Sequence, residues 1–411
     1  MREDVNRSML ENSGLVSKSM AIYRHVSSNE FCNLDITGRL VVYLFFRFLA
    51  AYDCRSNILD DGLTFEALTE LAYRARWMEM IGEAEGEEVF SFIISIRDDL
   101  CSNRMDPPEP SRTFCSSTGM GPDDLEISDI FSYIWQRRIS NHFNADSVKQ
   151  VEKVLNVSDG DFILLESDTL PGPFMAFGKE KNPEIVMAIR NDLDRVLGKM
   201  ILFMLLPREK WKSRKVVKQL PEEIRQRPNK IISFIAMCSI ARGGRGSVDG
   251  FDSAMASIAP MIERGAMAVF PSTASFLSFD HGSARRCRSK LFDLGSPLSV
   301  LSFGKGRGNF IVIDGLRSDR DSVLLADLSD AYDFDSSEIA SCIMGGGNVP
   351  ERLKSRIIAV PRDEVKANGF MIYPSFYRDL NVKEKRGLDE IDGRLSVKYK
   401  EMKNLVEILS E

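Results

Sequence analysis

Histidine is almost absent from this chain. Only His25, His142 and His281 occur in 411 residues, which argues against a histidine-based metal centre. Cysteine lacks any pairing pattern. Cys32, Cys54, Cys101, Cys115, Cys238, Cys287 and Cys342 are scattered, odd in number and never spaced CxxC. That spacing argues against a zinc site and is read most simply as free thiols in a reducing cytoplasm. Long apolar runs are missing too. The longest, Leu40 to Ala51, contains Arg47 and is short of the ~20 residues a bilayer-crossing helix needs. The first residues show no charged-then-apolar signal pattern. The expectation is a soluble, cytoplasmic protein with no metal and no membrane partner. A large excess of one charge is also lacking. The formal net charge of −6 is too mild for a chain that coats nucleic acid by bulk charge, although local basic surfaces stay open.

What is present is enough apolar sequence, 44%, and enough length for two or three packed domains. Residues 16–99 read as helical. Arg39 to Cys54 is apolar nearly all round, which marks a helix central to an α-helical domain. A second helix is expected over Thr64 to Met80, after the break Asp60-Asp61-Gly62. Asn103 to Asp124, rich in Pro, Ser, Gly and Asp, reads as a linker. From Leu125 onward helices and strands alternate. Helices are expected at 127–139, 184–197, 251–263 and 283–292. Strands are expected at 162–166, 200–206, 230–236, 266–270, 298–303, 310–313 and 323–325. Asn182-Pro183 is read as the start of the 184–197 helix. The alternation implies a mainly parallel sheet with helices on both faces. The closely spaced last strands favour an antiparallel hairpin at the sheet edge. In the tail, Leu388, Ile391, Leu395, Met402, Leu405 and Leu409 follow a 3–4 spacing. Such a seam needs a partner helix, from this chain's own N-terminal helices or from another chain.

Glycine is scarce where a cofactor loop would want it. In DGDFILLESDTLPGPFMAFGKE, Asp159 to Glu180, the apolar run Phe162 to Leu165 ending in Glu166 reads as the first strand of a nucleotide-type sheet. Such a strand is ordinarily followed by small residues that let backbone approach a ligand and start a helix. Here Ser167-Asp168-Thr169-Leu170-Pro171-Gly172-Pro173 follows. Its prolines remove N–H donors, and a single glycine is left.

Three stretches together resemble the modification (M) subunit of type I restriction–modification systems, a family of adenine-N6 DNA methyltransferases. The first joins Asp129 to Ile134, Asn144 to Asn156 and the strand DGDFILLES. The second is ERGAMAVFPSTASFLSFDHGSARRCRSKLFDLGSPLSVL, Glu263 to Leu301. The third is VPRDEVKANGFMIYPSFY, Val360 to Tyr377. The resemblance implies the family layout: a helical N-terminal domain and linker over 1–124, a Rossmann-like methyltransferase α/β domain over 125–335, a connecting segment over 336–381 and a coiled-coil-like C-terminal helix over 382–411.

The chemistry carried over by the resemblance fails residue by residue. In the family's glycine-rich cofactor motif, Glu166 stands for the acid, Leu170 for the first glycine, Gly172 for a later one and Pro173 for the last. Leu170 would fill the space of the methionine or ribose of S-adenosylmethionine. The helix after the motif is expected to be shortened or missing. Glu180 matches the acid that would hold the ribose hydroxyls, at a strand end where an exposed glutamate is common without any ligand. The family's Asn-Pro-Pro-Phe motif aligns with Ile232-Ser233-Phe234-Ile235, which has neither the amide acceptor nor the prolines. Asp106-Pro107-Pro108-Glu109 mimics that motif but sits in the linker. The adjacency of Asp280, His281 and Ser283 supplies no triad geometry.

The basic run from Pro207 to Lys230 carries Lys210, Lys212, Arg214, Lys215, Lys218, Arg225 and Arg227. Following an expected strand on the family's DNA-facing side, it would neutralise phosphates, or else form a solvated loop. The leading expectation is a catalytically degenerate scaffold with no cofactor and no catalytic residue. It would keep vestigial cofactor positions at Glu166, Gly172 and Glu180, bind a partner protein through the C-terminal helix, and contact duplex DNA through the basic run. Two alternatives stay open: an active S-adenosylmethionine-dependent adenine-specific DNA methyltransferase, and a protein–protein module with no DNA contact.

Overall fold

The computed structural model describes residues 34–54, 83–95, 143, 145–206, 210, 212–234, 245–278, 282–294, 298–303, 308–316, 321–329 and 351–377, with positions 20, 24, 339 and 342. The expected helices at Thr64 to Met80 and 127–139, the 103–124 linker and the 382–411 tail lie outside the described residues. So do the domain limits drawn at 124/125 and 381/382.

Among the described residues nine strands form one sheet, in the order β3-β2-β1-β4-β5-β7-β6-β8-β9. They are β1 (Phe162–Ser167), β2 (Glu184–Ile189), β3 (Arg214–Val217), β4 (Lys230–Ser233), β5 (Met267–Ser272), β6 (Leu298–Ser302), β7 (Asn309–Asp314), β8 (Ser322–Asp327) and β9 (Ile357–Pro361). Strands β3, β2, β1, β4 and β5 run parallel. Strand β7 is antiparallel to both its neighbours, β5 and β6. The β6–β7 hairpin is therefore interior and not at the sheet edge as expected, because β8 joins β6 in parallel and β9 closes that side antiparallel to β8. Strand order reverses at β1, with β2 on one side and β4 on the other. In open α/β sheets a crevice lies outside the carboxyl ends of the strands at such a point.

The strands read as near-continuous Ile, Leu, Val and Met because helices cover both faces. Side chains alternate cleanly between two cores. Ile163, Leu165, Ile185, Met187, Ile232 and Val269 face one core. Phe162, Leu164, Val186, Ile231, Ala268 and Phe270 face the other. The first core is covered by α1 (Ile36–Cys54), α2 (Glu83–Ser95), α3 (Ala145–Val154) and α4 (Asp192–Leu205). The second is covered by α5 (Arg245–Glu263), α6 (Ala274–Ser278), α7 (Gly282–Asp293) and α8 (Arg362–Ala367).

Two expected elements are exchanged. The sequence pattern predicts a helix over 184–197 and a strand over 200–206. The structure has strand β2 at Glu184–Ile189 and helix α4 at Asp192–Leu205. Strand β2 from Ile185 and helix α4 from Val196 are buried on all sides, so neither stretch shows the polar face by which a period is read. The helix starts at Asn191, not Asn182: Asn191 Oδ1 accepts from Asp194 N at 3.0 Å. Every residue from Val196 to Leu205 is buried, since α4 is sandwiched between the sheet and α1 and α2. Its two cations are paired with α2. Arg195 and Lys199 donate to the two oxygens of Glu88, at 2.7 and 2.5 Å.

The third family-like stretch builds β9, α8 and a return segment. Gly369 and Phe370 both hold positive φ, 68° and 60°, and turn the chain back onto α7. Arg288, fully buried, gathers this turn. It donates to the carbonyls of Phe370 (2.6 Å), Phe276 and Gly369. Tyr377 Oη donates to Met371 O at 2.9 Å, and burial pushes its phenol up to about 12.

Candidate functional site

The carboxyl ends of β1, β2 and β4 meet at the switch point, and the sequence delivers four side chains there. From β1 comes the buried Glu166. From the end of β2 comes Arg190, and from the end of β4 come Ser233 and Phe234. Glu166, Ala188 and Ser233 share one register row, and the alternation of side chains points Glu166, Ser233 and Arg190 to the same face.

Arg190 Nη2 donates to Glu166 Oε1 at 2.8 Å, and Arg190 Nη1 lies 3.5 Å from Asp168. Ser233 Oγ is 3.4 Å from the other Glu166 oxygen. Burial pushes the Glu166 carboxyl above its ordinary 4.5, and Arg190 offsets only part of that shift. The acid at the end of β1 therefore already has a cation bound to it, supplied by its own fold.

The opposite side of the same edge is filled with rings. The loop after β1 makes no α-helix. It winds into one 3-10 turn, Gly172–Ala176, in keeping with the shortened segment expected there. Gly172 sits at φ 61°, a left-handed conformation that costs an L side chain about 1–2 kcal/mol; this glycine is required by the turn itself. The turn packs Phe174, fully buried, edge-on against Phe234 at 5.1 Å between centroids. Phe143 stands against both rings, at 5.9 and 6.1 Å, and reaches Phe310 of β7 at 5.6 Å. Phe303 completes the group against Phe310 at 5.8 Å. Backbone ties hold the closure: Phe234 N donates to Glu166 O at 2.9 Å.

Leu170 turns towards α4. Gly198 of that helix leaves the room: a Cβ placed there would meet Ile189 Cδ1 at 3.1 Å, Met175 Cε at 3.5 Å and Leu170 Cδ2 at 3.6 Å. The Leu170 N–H is bonded to the Asp194 carboxyl, which burial nonetheless raises above its ordinary range. The loop is thus pinned to the first turn of α4 through the Leu170 N–H. The loop after β1 is folded into the core, and the acid at the end of β1 faces Arg190.

Glu180 is corrected by the topology. The expectation set it at a strand end beside Glu166. It lies instead in the exposed turn before β2, at the amino edge of the sheet, while Glu166 is at the carboxyl edge. The two glutamates are at opposite ends of adjacent parallel strands and cannot share a ligand. The residue that does follow β2 at the carboxyl edge is Arg190, which escapes a sequence reading that makes β2 a helix.

The basic run is corrected in the same way. It follows helix α4, not a strand, so it enters the sheet at the amino edge. Arg214, expected to meet phosphate, is buried. Its guanidinium donates to the carbonyls of Gly178 (3.0 Å) and Pro183, and burial lowers it to about 10. Gly178 answers with its N–H, which donates to the half-buried Glu152 carboxyl at 2.6 Å. Lys210 donates to the carbonyls of Lys179 (2.5 Å) and Lys181 (3.0 Å). Lys218 is paired with Asp192 at 3.0 Å, Arg225 with Glu222 at 2.7 Å and Arg227 with Glu184 at 2.8 Å. Arg227 also lies over the Phe162 ring, 4.4 Å from its centroid. Lys212 and Lys215 are exposed. Among the described residues no group of three His, Cys, Asp or Glu side chains is placed to hold a metal, and no helix is long and apolar enough to cross a membrane.

No family model matches the chain, and no curated protein matches it in sequence. Solved structures do resemble it. A protein assigned as the modification subunit of a type I restriction enzyme from Vibrio vulnificus YJ016 is 12% identical, covers 86% of this chain and 92% of its own, and superposes with a TM-score of 0.45. The M protein of the type I restriction enzyme EcoKI is 11% identical, with coverage of 88% and 89% and a TM-score of 0.39. A protein assigned as a class I S-adenosylmethionine-dependent methyltransferase from Listeria monocytogenes is 12% identical, with coverage of 74% and 97% and a TM-score of 0.40. The structural neighbours are thus type I modification subunits and S-adenosylmethionine-dependent methyltransferases, at low sequence identity.

Proposed function

We propose that this chain is a catalytically degenerate relative of the adenine-N6 methyltransferase subunit, keeping the α/β frame as a scaffold for a partner protein. The observation that carries the reading is the contact between Phe174 and Phe234. One ring comes from the loop that would cradle the cofactor. The other stands where the family's base-binding motif aligns. A methyl donor and a flipped base need both places open at once, and here the two segments fill each other's space. Arg190 on Glu166 supports the same reading from the other face of the edge. Function follows from the site rather than from the frame that carries it, and this site is a packed core.

The test is calorimetry. Titrating S-adenosylmethionine into the full chain is expected to give no saturable heat. A clear micromolar isotherm, abolished in Glu166→Ala, would overturn the reading in favour of an active methyltransferase. The partner-binding part is tested separately, by co-purification with and without residues 382–411. Loss of the partner on deletion is expected; retention places the interface elsewhere on the chain.

A further inference from the structure

The amino edge of the sheet, opposite the packed one, carries a concentration of positive charge that the scaffold reading does not use. The turn 178–183 is its centre. Lys210 holds this turn by two carbonyls and Arg214 by two more. Carbonyl acceptors fix a cation in place without cancelling its charge, unlike the carboxylates that occupy Lys218, Arg225 and Arg227. Around this fixed pair stand exposed lysines: Lys181 in the turn itself, Lys212 and Lys215 at the start of the edge strand β3, and Lys149 on α3. Helix α3 is tied to the same turn through Glu152 and the Gly178 N–H, at 2.6 Å. Acids stand in this corner too. Glu152 is half-buried and bonded to the Gly178 N–H. Asp159, which accepts from the Asn182 N–H at 2.9 Å, and Glu180 are both exposed, so two solvent-facing acids oppose the four exposed lysines and the fixed cations.

We propose that this corner is a docking surface for the phosphate backbone of a duplex nucleic acid, through Lys149, Lys181, Lys212 and Lys215 around the fixed cation Lys210. Phosphate rows need positive charge and nothing else, so binding is independent of sequence. A protein partner would need a buried aromatic or apolar anchor. The exposed large apolar side chains among the described residues are Ile94, Leu193 and Leu316, and none belongs to this corner. The proposal does not rest on the fate of the carboxyl edge. A chain that bound S-adenosylmethionine would leave the experiment unchanged.

Fluorescence anisotropy of a labelled duplex, measured at rising salt, tests it. The full chain is expected to bind at low salt with a steep salt dependence. The combined variant Lys149→Gln, Lys181→Gln, Lys212→Gln, Lys215→Gln is expected to bind about tenfold or more weakly, its salt slope shallower by about 1 for each phosphate no longer neutralised. A control variant, Lys218→Gln with Arg225→Gln, is expected to bind as the parent does. A fourfold Lys→Arg variant, which keeps the charge, must retain binding, and thermal melting checks that all variants are folded. No binding by the parent at low salt overturns the proposal. So does an unchanged quadruple variant, an equal loss in the control, or tighter binding to phosphatidylserine vesicles than to the duplex.

Discussion

The two edges of one sheet solve opposite problems. At the carboxyl edge, segments that could bare their backbone to a ligand have turned inward. Phe174, Phe234, Phe143 and Phe310 close it with rings, and Arg190 covers the buried Glu166. At the amino edge the loops stay on the surface, and their carbonyls are gripped by Lys210 and Arg214. The first edge is held by apolar burial, which is large and indifferent to salt. The second is held by cations on carbonyls, with lysines left over in solvent. The contrast teaches that one end of a sheet can be closed by its own side chains while the other end of the same strands keeps exposed charge.

The sharpest way to break this comparison is to empty the ring cluster. Phe174→Ala removes a fully buried ring with ring neighbours and is expected to cost about 3–5 kcal/mol of unfolding free energy. Urea denaturation measures it. A loss below about 1 kcal/mol would mean that the carboxyl edge is open rather than packed. Next comes the amino edge. Arg214→Met keeps the bulk but strands the carbonyls of Gly178 and Pro183, and is expected to cost about 1–3 kcal/mol in the same measurement. A neutral result would remove the view that this turn is held by its cations.

The smallest effect is one of pH. Burial holds the Glu166 carboxyl above its ordinary 4.5 in the folded chain. The unfolded chain gives up that proton near 4.5, and the folded chain only at higher pH. Stability from this group is therefore complete below 4.5 and is lost as pH rises through the folded value. Glu88 runs the other way. Burial works to raise it, but Lys199 and Arg195 together outweigh burial and hold it below 4.5. Its contribution is present above 4.5 and fades as pH falls. Glu166→Gln is accordingly expected to melt close to the parent at about pH 4 and increasingly above it towards about pH 8. Curves that stay parallel across that range would deny the buried, strained state of Glu166.

Much of the sheet is legible in the sequence because it obeys short-range rules. Strands β1, β4, β5, β6, β7 and β8 and helices α5 and α7 are bounded by turn residues or keep a polar face. Where burial is complete on every side, the period vanishes. That is why 184–205 reads with its strand and helix exchanged, and the exchange displaces everything dependent on it. It carries Glu180 to the wrong edge, hides Arg190 and aims the basic run at the wrong face. The signal for β2 is present in EIVMAI, a short apolar run between Pro183 and Asn191. The signal for α4 is present in Asn191 followed three residues on by Asp194, a capping pattern at the correct helix start. Phe143 and Phe310 carry no such signal, since they approach Phe174 only once β7 lies beside β5.

By itself the sequence determined that the turn after the first strand carries two prolines and a single glycine, and that its apolar runs must be covered on both faces. Residue type alone decides those points. Only the tertiary structure decided which groups meet at the carboxyl edge. A parallel strand sets its first and last residues a full strand length apart, so which acids, arginines and rings come together depends on strand order and on nothing local.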